Sequence, residues 1–175
     1  MKKAFSRGFT LIELLVVLSV ISSLLLITIA SVNTVRARSR DAQVKTDKQI
    51  LILALVRAKD ANSNNQYPVA VGSGACLKAS GTCWANNMYT GSQTIADTLA
   101  PYVPGAVIPR PPGTAPSQHR HDAYVLYRPT GSFAGFPAGS TFLIWAQEKN
   151  ITASECNGQV SQHNPGIWYC YEKLP

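Results

Sequence analysis

Glycine and proline are absent from Phe9 through Lys48, so nothing in that stretch stops or kinks a helix. Acidic residues are scarce, with nine Asp and Glu against sixteen Lys and Arg and a formal charge of +7. The sequence also lacks a nucleophile elbow, a phosphate-binding glycine loop, zinc-ligand spacing and any internal repeat. No enzyme, cofactor or metal chemistry is therefore read from its motifs.

The basic excess invites a nucleic-acid reading, and its distribution weakens it. Lys2, Lys3 and Arg7 precede the apolar run, residues 36–60 hold seven basic and three acidic residues, and residues 61–175 hold six and five. The excess is therefore a collar of Arg36, Arg38, Arg40, Lys45 and Lys48. It suits anionic lipid headgroups or pairing with neighbouring molecules better than a DNA groove.

The apolar run extends from Phe9 to Val32, and about 20 apolar residues suffice to cross a bilayer. Glu13 interrupts it. An ionised carboxylate at mid-membrane depth costs roughly 2.5–3.5 kcal/mol on insertion scales, so Glu13 calls for a partner. Cutting the chain after Gly8 would create a cationic amine at Phe9, about one helical turn from Glu13, and a neighbour's amine could reach the same carboxylate. A rival reading is a secretory signal cut after Ala30, at Thr28-Ile29-Ala30; the long apolar region and Glu13 stand against it.

Val44, Leu51, Leu55 and Ala58 recur at helical spacing, with Ile50, Ile52 and Leu53 widening the face. One helix is expected from Phe9 to about residue 61, on the order of 80 Å long. Asn62-Ser63-Asn64-Asn65 ends it and Pro68 prevents continuation. Residues 69–122 read as loop-rich, with a short helix from Ser92 to Leu99 stopped by Pro101. Strands are expected at 123–128, 141–147 and 166–172, aromatic and β-branched with turn residues between them. The fold class is α+β: a long N-terminal helix, transmembrane in its first half and amphipathic in its second, packed on a small antiparallel sheet of three or four strands. The divisions are 1–8 (leader), 9–32 (membrane and assembly helix), 33–61 (amphipathic continuation) and 62–175 (globular domain).

Cys76, Cys83, Cys156 and Cys170 all follow the apolar run. An even count in an exported chain reads as disulfides, and four cysteines allow three pairings. Cys76–Cys83 and Cys156–Cys170 are favoured because both close short loops rich in Gly, Asn or Ser. Zinc is the rival, and neither Cys-x6-Cys nor Cys-x13-Cys fits its usual spacing. His119 and His121 flank Arg120 with Asp122 beside them, and His163 is remote in sequence; a solvated loop is read there. Trp84, Tyr89, Trp145, Trp168, Tyr169 and Tyr171 are read as core or sheet-face residues, an exposed subset being the rival.

The basic leader Met1-Lys2-Lys3-Ala4-Phe5-Ser6-Arg7-Gly8, followed by Phe9-Thr10-Leu11-Ile12-Glu13-Leu14-Leu15-Val16-Val17, resembles the class III signal of type IV pilins and of the pseudopilins of type II secretion. Where the family often has a helix-loosening Gly and Pro, this chain has Ser22 and Ala30. The resemblance implies cleavage after Gly8 by a prepilin peptidase that also N-methylates Phe9, and assembly into a helical filament of like subunits through Phe9 and Glu13. It further implies an assembly ATPase and a platform protein. The subunit would wait in the cytoplasmic membrane in contact with lipid, its C-terminal domain outside the cytoplasm, before entering an extracellular pilus. A pseudopilin is the alternative within the class, and the scarcity of acids disfavours the branch that ends in an acidic calcium loop. A non-assembling, membrane-tethered module that binds DNA or a surface is the alternative from another class.

Overall fold

A computed structural model of the chain describes residues 9–84, 88–112, 123–147, 151–152, 154–164 and 167–175, without the side chains of residues 26–31, 163 and 164. The chain divides into two compact units, one ending at Arg38 and the other spanning Ser39–Pro175.

Helix α1 covers Leu11–Ala61. Its first part carries the apolar run. Large side chains from Phe9 to Leu25 are all exposed, from 47% at Ile21 to 83% at Phe9 and Leu11. Consecutive exposed positions such as Leu14, Leu15, Val16, Val17 and Leu18 leave no face covered. A helix that is apolar all round belongs inside a bundle or a bilayer. Among the described residues no helix is long and apolar enough to cross a membrane. The expected span 9–32 includes residues 26–31, whose side chains lie outside those described.

The Ser39–Pro175 unit contains the second part of α1. Val44, Leu51, Leu55 and Ala58 are buried, which is the expected stripe, and Ala54 is buried with them. Leu53 departs from expectation, being 51% exposed, and Asp41 and Asp47 join the buried face. The helix ends where Asn62 N–H donates to Lys59 O and Asn62 Nδ2 donates to Gln66 O. Asn65 follows in the left-handed region at φ 49°, which asparagine tolerates better than most residues.

The sheet differs from the expected three or four antiparallel strands. Among the described residues it has seven, β1 (Ser73–Cys76), β2 (Thr82–Cys83), β3 (Tyr89–Gly91), β4 (Val125–Arg128), β5 (Phe142–Gln147), β6 (Gly158–Asn164) and β7 (Ile167–Lys173). Their order is β2-β3-β1-β4-β5-β7-β6. The β1–β3 pair is parallel and the other pairs are antiparallel, so the sheet is mixed. The three expected strands are β4, β5 and β7. The others escaped because β1, β2 and β3 are very short and hold Gly and Thr, and β6, GQVSQHN, is a polar edge. A polar edge strand resists pairing with other chains, and polarity removes the apolar signal from which strands are read. A Cβ at Gly158 would overlap the carbonyl oxygen of Tyr171, so the β6–β7 approach requires glycine there.

Helix α2 (Gln93–Leu99) starts at Ser92, whose Oγ accepts from Ile95 N–H at 3.4 Å. Pro101 follows in a 3-10 turn.

Alternation along the strands splits the core. Leu126, Leu143, Trp145 and Cys170 join the α1 stripe with Leu77, Leu99 and Tyr124. Val125 and Ile144 face the other way, with Cys76, Cys83 and Ala123, flanked by Trp84, Tyr89, Tyr127 and Tyr171. Because both faces are covered, Phe142, Leu143, Ile144 and Trp145 are buried in succession. Disulfides join Cys76 to Cys83 and Cys156 to Cys170, with Cα–Cα separations of 6.1 and 5.8 Å.

Candidate functional site

The start of α1 is held by a reciprocal cap. Thr10 N–H and Thr10 Oγ1–H both donate to Glu13 Oε2 at 2.8 Å. Glu13 N–H donates back to Thr10 Oγ1 at 3.3 Å. This is a capping box: the first residue outside the helix and the third inside it satisfy each other's backbone N–H groups, which the helix itself leaves without partners. The carboxylate also sits at the positive end of the helix dipole. Glu13 thus has a local partner in Thr10. The signal, Thr-x-x-Glu before an apolar run, stood in the sequence unread. Phe9 is the first described residue, and Gly8 lies outside those described.

Three hydroxyls along the apolar run are satisfied by the helix that carries them. Ser19 Oγ donates to Val16 O at 2.7 Å and Ser22 Oγ to Leu18 O at 2.8 Å. Ser23 Oγ reaches Ser19 O and Val20 O. Such back-bonding lets serine sit among apolar surroundings without an orphaned hydroxyl, and it slightly loosens the helix.

The Ser39–Pro175 unit holds a buried charge node. Lys48 Nζ lies 3.2 Å from Glu172 Oε2, donates to Glu155 O at 2.7 Å, and stands 4.8 Å from the centre of the Trp145 ring. Trp145 Nε1–H donates to the same Glu172 oxygen at 3.2 Å, and Asn157 N–H donates to Glu172 Oε1 at 3.2 Å. Among the described residues, Cys156, Cys170 and Glu172 form a group with metal-ligand proximity. The two sulfurs are bonded to each other, so neither is a thiolate able to bind a metal. Elsewhere Tyr124 OH donates to buried Asp47 Oδ2 at 3.0 Å. Burial pushes the Asp47 carboxyl above its ordinary value, and the Tyr124 bond only partly opposes this.

The basic collar is divided by use. Lys45 pairs with Glu155, Lys48 is consumed by the node, and Arg40 is engaged within the chain. Glu155 also accepts from Thr152 N–H and Oγ1–H, and the bond from Lys45 with these two holds its carboxyl down at about 2. Arg36 and Arg38 are exposed.

Trp145 and Tyr169 are buried, while Trp84, Tyr89, Trp168 and Tyr171 are half-buried. Ring contacts run from Trp84 through Tyr89 and Tyr127 to Phe133 and Tyr171. None of these rings stands free in solvent. The cluster His119, Arg120, His121 and Asp122 lies outside the described residues, as does the side chain of His163.

A family model for the prokaryotic N-terminal methylation motif matches residues 3–29. The N-terminal segment is thus a type IV pilin-like class III signal, and the match supports a type IV pilin or pseudopilin-type protein. No curated protein and no solved structure matches the chain.

Proposed function

We propose that the chain is a structural subunit of a type IV pilus filament, cut after Gly8 and assembled through its N-terminal helix. The observation that carries this reading is an apolar helix exposed all round from Phe9 to Leu25 within the segment matched by the methylation motif. Such a surface demands cover. The subunit is first covered by lipid in the cytoplasmic membrane, with Ser39–Pro175 outside the cytoplasm, and then by the helices of like subunits. A prepilin peptidase cleaves and N-methylates it, and an assembly ATPase with a platform protein drives its transfer.

Moving an apolar helix from lipid into a bundle gains little from the hydrophobic effect, because lipid tails are already apolar. Packing and polar pairing must decide assembly. Glu13 supplies both a helix cap and a charge that neutralises the Phe9 amine of a neighbouring subunit. Two variants separate these roles. Glu13→Gln keeps a side-chain oxygen for Thr10 and removes the charge; Glu13→Leu removes both. Normal membrane abundance with loss of sheared filaments in both variants assigns assembly to the charge. Normal filaments from both would sink the assembly role of Glu13.

A further inference from the structure

We infer that the Cys156–Cys170 disulfide is a light-reducible bridge, opened by an electron from excited Trp145 while Glu172 carries the accompanying proton. The inference concerns the Ser39–Pro175 unit alone and does not rest on filament assembly.

Three placements carry it. Trp145 on β5 stands directly opposite Cys170 on β7 in the sheet register, and both side chains belong to the core cluster that holds the α1 stripe. Directly opposed residues of an antiparallel pair have Cβ atoms about 4.5–5.5 Å apart, so the indole is the bridge's cross-strand neighbour. Next, the two sulfurs and a Glu172 carboxylate oxygen all lie within 4.8 Å of one another. Glu172 Oε2 accepts from Trp145 Nε1–H at 3.2 Å and stands 3.4 Å from Cys170 Sγ. One carboxylate oxygen thus touches both the proton of the electron donor and a sulfur of the acceptor. Finally, Trp145, Cys156, Cys170 and Glu172 are all buried, so water competes for neither the electron nor the proton.

Excited indole is a strong one-electron reductant, and a disulfide accepts an electron into an orbital that is antibonding between its sulfurs. Transfer leaves a tryptophan radical cation and a disulfide radical anion. Lys48 Nζ, 4.8 Å from the centre of the Trp145 ring, repels positive charge on that ring. The ring sheds its Nε1 proton to Glu172 Oε2, which hinders return of the electron. The S–S bond then breaks with the electron pair on Cys170 Sγ, and Glu172 passes the proton to it. The products are a neutral Trp145 radical, a Cys170 thiol and a Cys156 thiyl radical. Electrons and protons balance within the chain, and light supplies the energy. Cys156 lies between Glu155, which holds Lys45 and Lys48 of α1, and Asn157, whose N–H holds Glu172. Opening the bridge removes the covalent support of the segment that ties helix to sheet, so light weakens the unit.

The test irradiates the full chain in detergent, without oxygen, at the red edge of tryptophan absorption. The chain is then unfolded in iodoacetamide and mapped by peptide mass. Alkylated Cys170 should accumulate with exposure and the thermal midpoint should fall, while a dark sample shows neither. Trp145→Phe should lose the alkylated Cys170. Trp168→Phe, which removes the ring two residues before Cys170, should keep it. The opposite pattern would overturn the inference, as would alkylation confined to Cys76 and Cys83. Glu172→Gln keeps an acceptor for Trp145 but no base, and should cut the yield; an unchanged yield would also overturn it. Flash photolysis of the wild-type chain supplies a readout that needs no variant to fold. A disulfide radical anion and a neutral tryptophan radical should both form, the latter more slowly in deuterium oxide. Decay of the excited indole with neither radical would overturn the inference.

Discussion

Lys48 on the long helix and Glu172 on β7 meet at 3.2 Å, with side chains only 15% and 9% exposed. Helix and sheet are joined there by charge as well as by apolar packing. Removing one partner of a buried pair strands the other, at a typical 3–5 kcal/mol. Lys48→Ala should therefore lower the unfolding free energy by about 3 kcal/mol, measured by denaturant titration. Lys48→Met combined with Glu172→Leu should lose much less than the two single changes added together. Strict additivity would show that the pair is not coupled.

Asp47 predicts a pH dependence of opposite sign to that of a paired carboxylate. Its carboxyl is raised by burial in the folded chain, so the fold holds the proton after the unfolded chain has released it. The stability contributed by this group is present in acid and falls as pH rises through that interval. Asp47→Asn keeps an acceptor for Tyr124 OH and removes the titration. The variant's advantage over wild type should grow upward from about pH 4 and then level off. A gap that shrinks with rising pH would contradict the assignment.

Glu155 runs the other way. Its carboxyl is lowered to about 2 by Lys45 and Thr152, so its contribution is complete above the unfolded value and is lost as pH falls toward 2. Its exposed setting keeps the effect below about 1 kcal/mol. Wild type and Glu155→Gln should therefore differ slightly at pH 7 and converge in acid, read by chemical denaturation at each pH.

The two disulfides close loops of sequence separation 7 and 14. Replacing both members of either pair by serine should lower stability by roughly 2–4 kcal/mol. Non-reducing peptide mapping of protein from the cell surface should return Cys76 with Cys83 and Cys156 with Cys170. Free thiols or any crossed pair would refute the assignment.

The sequence disclosed what repeats strongly. The α1 stripe at Val44, Leu51, Leu55 and Ala58, the Ser92 cap, and the apolar strands β4, β5 and β7 were all legible, because burial imposes a helical or twofold period on residue type. Strands β1, β2, β3 and β6 were not, because their pairing comes from tertiary neighbours rather than from their own Gly, Thr, Ser and Gln residues. The Lys48–Glu172 node was hidden for another reason. Its members lie far apart in the chain, and each reads alone as an ordinary surface charge. At the N-terminus the apolar run and its lone carboxylate were plain, yet the partner sought for Glu13 was an amine, that of Phe9 one turn away or of a neighbour, while the Thr10 cap stood three residues away.

Intact-mass measurement of subunits from sheared surface filaments tests the assembly reading most directly. The expected subunit begins at Phe9, is eight residues shorter than the 175-residue chain, and carries one added methyl group at its amine. A cell-derived chain beginning at Ser31, or filaments that lack this chain altogether, would contradict it.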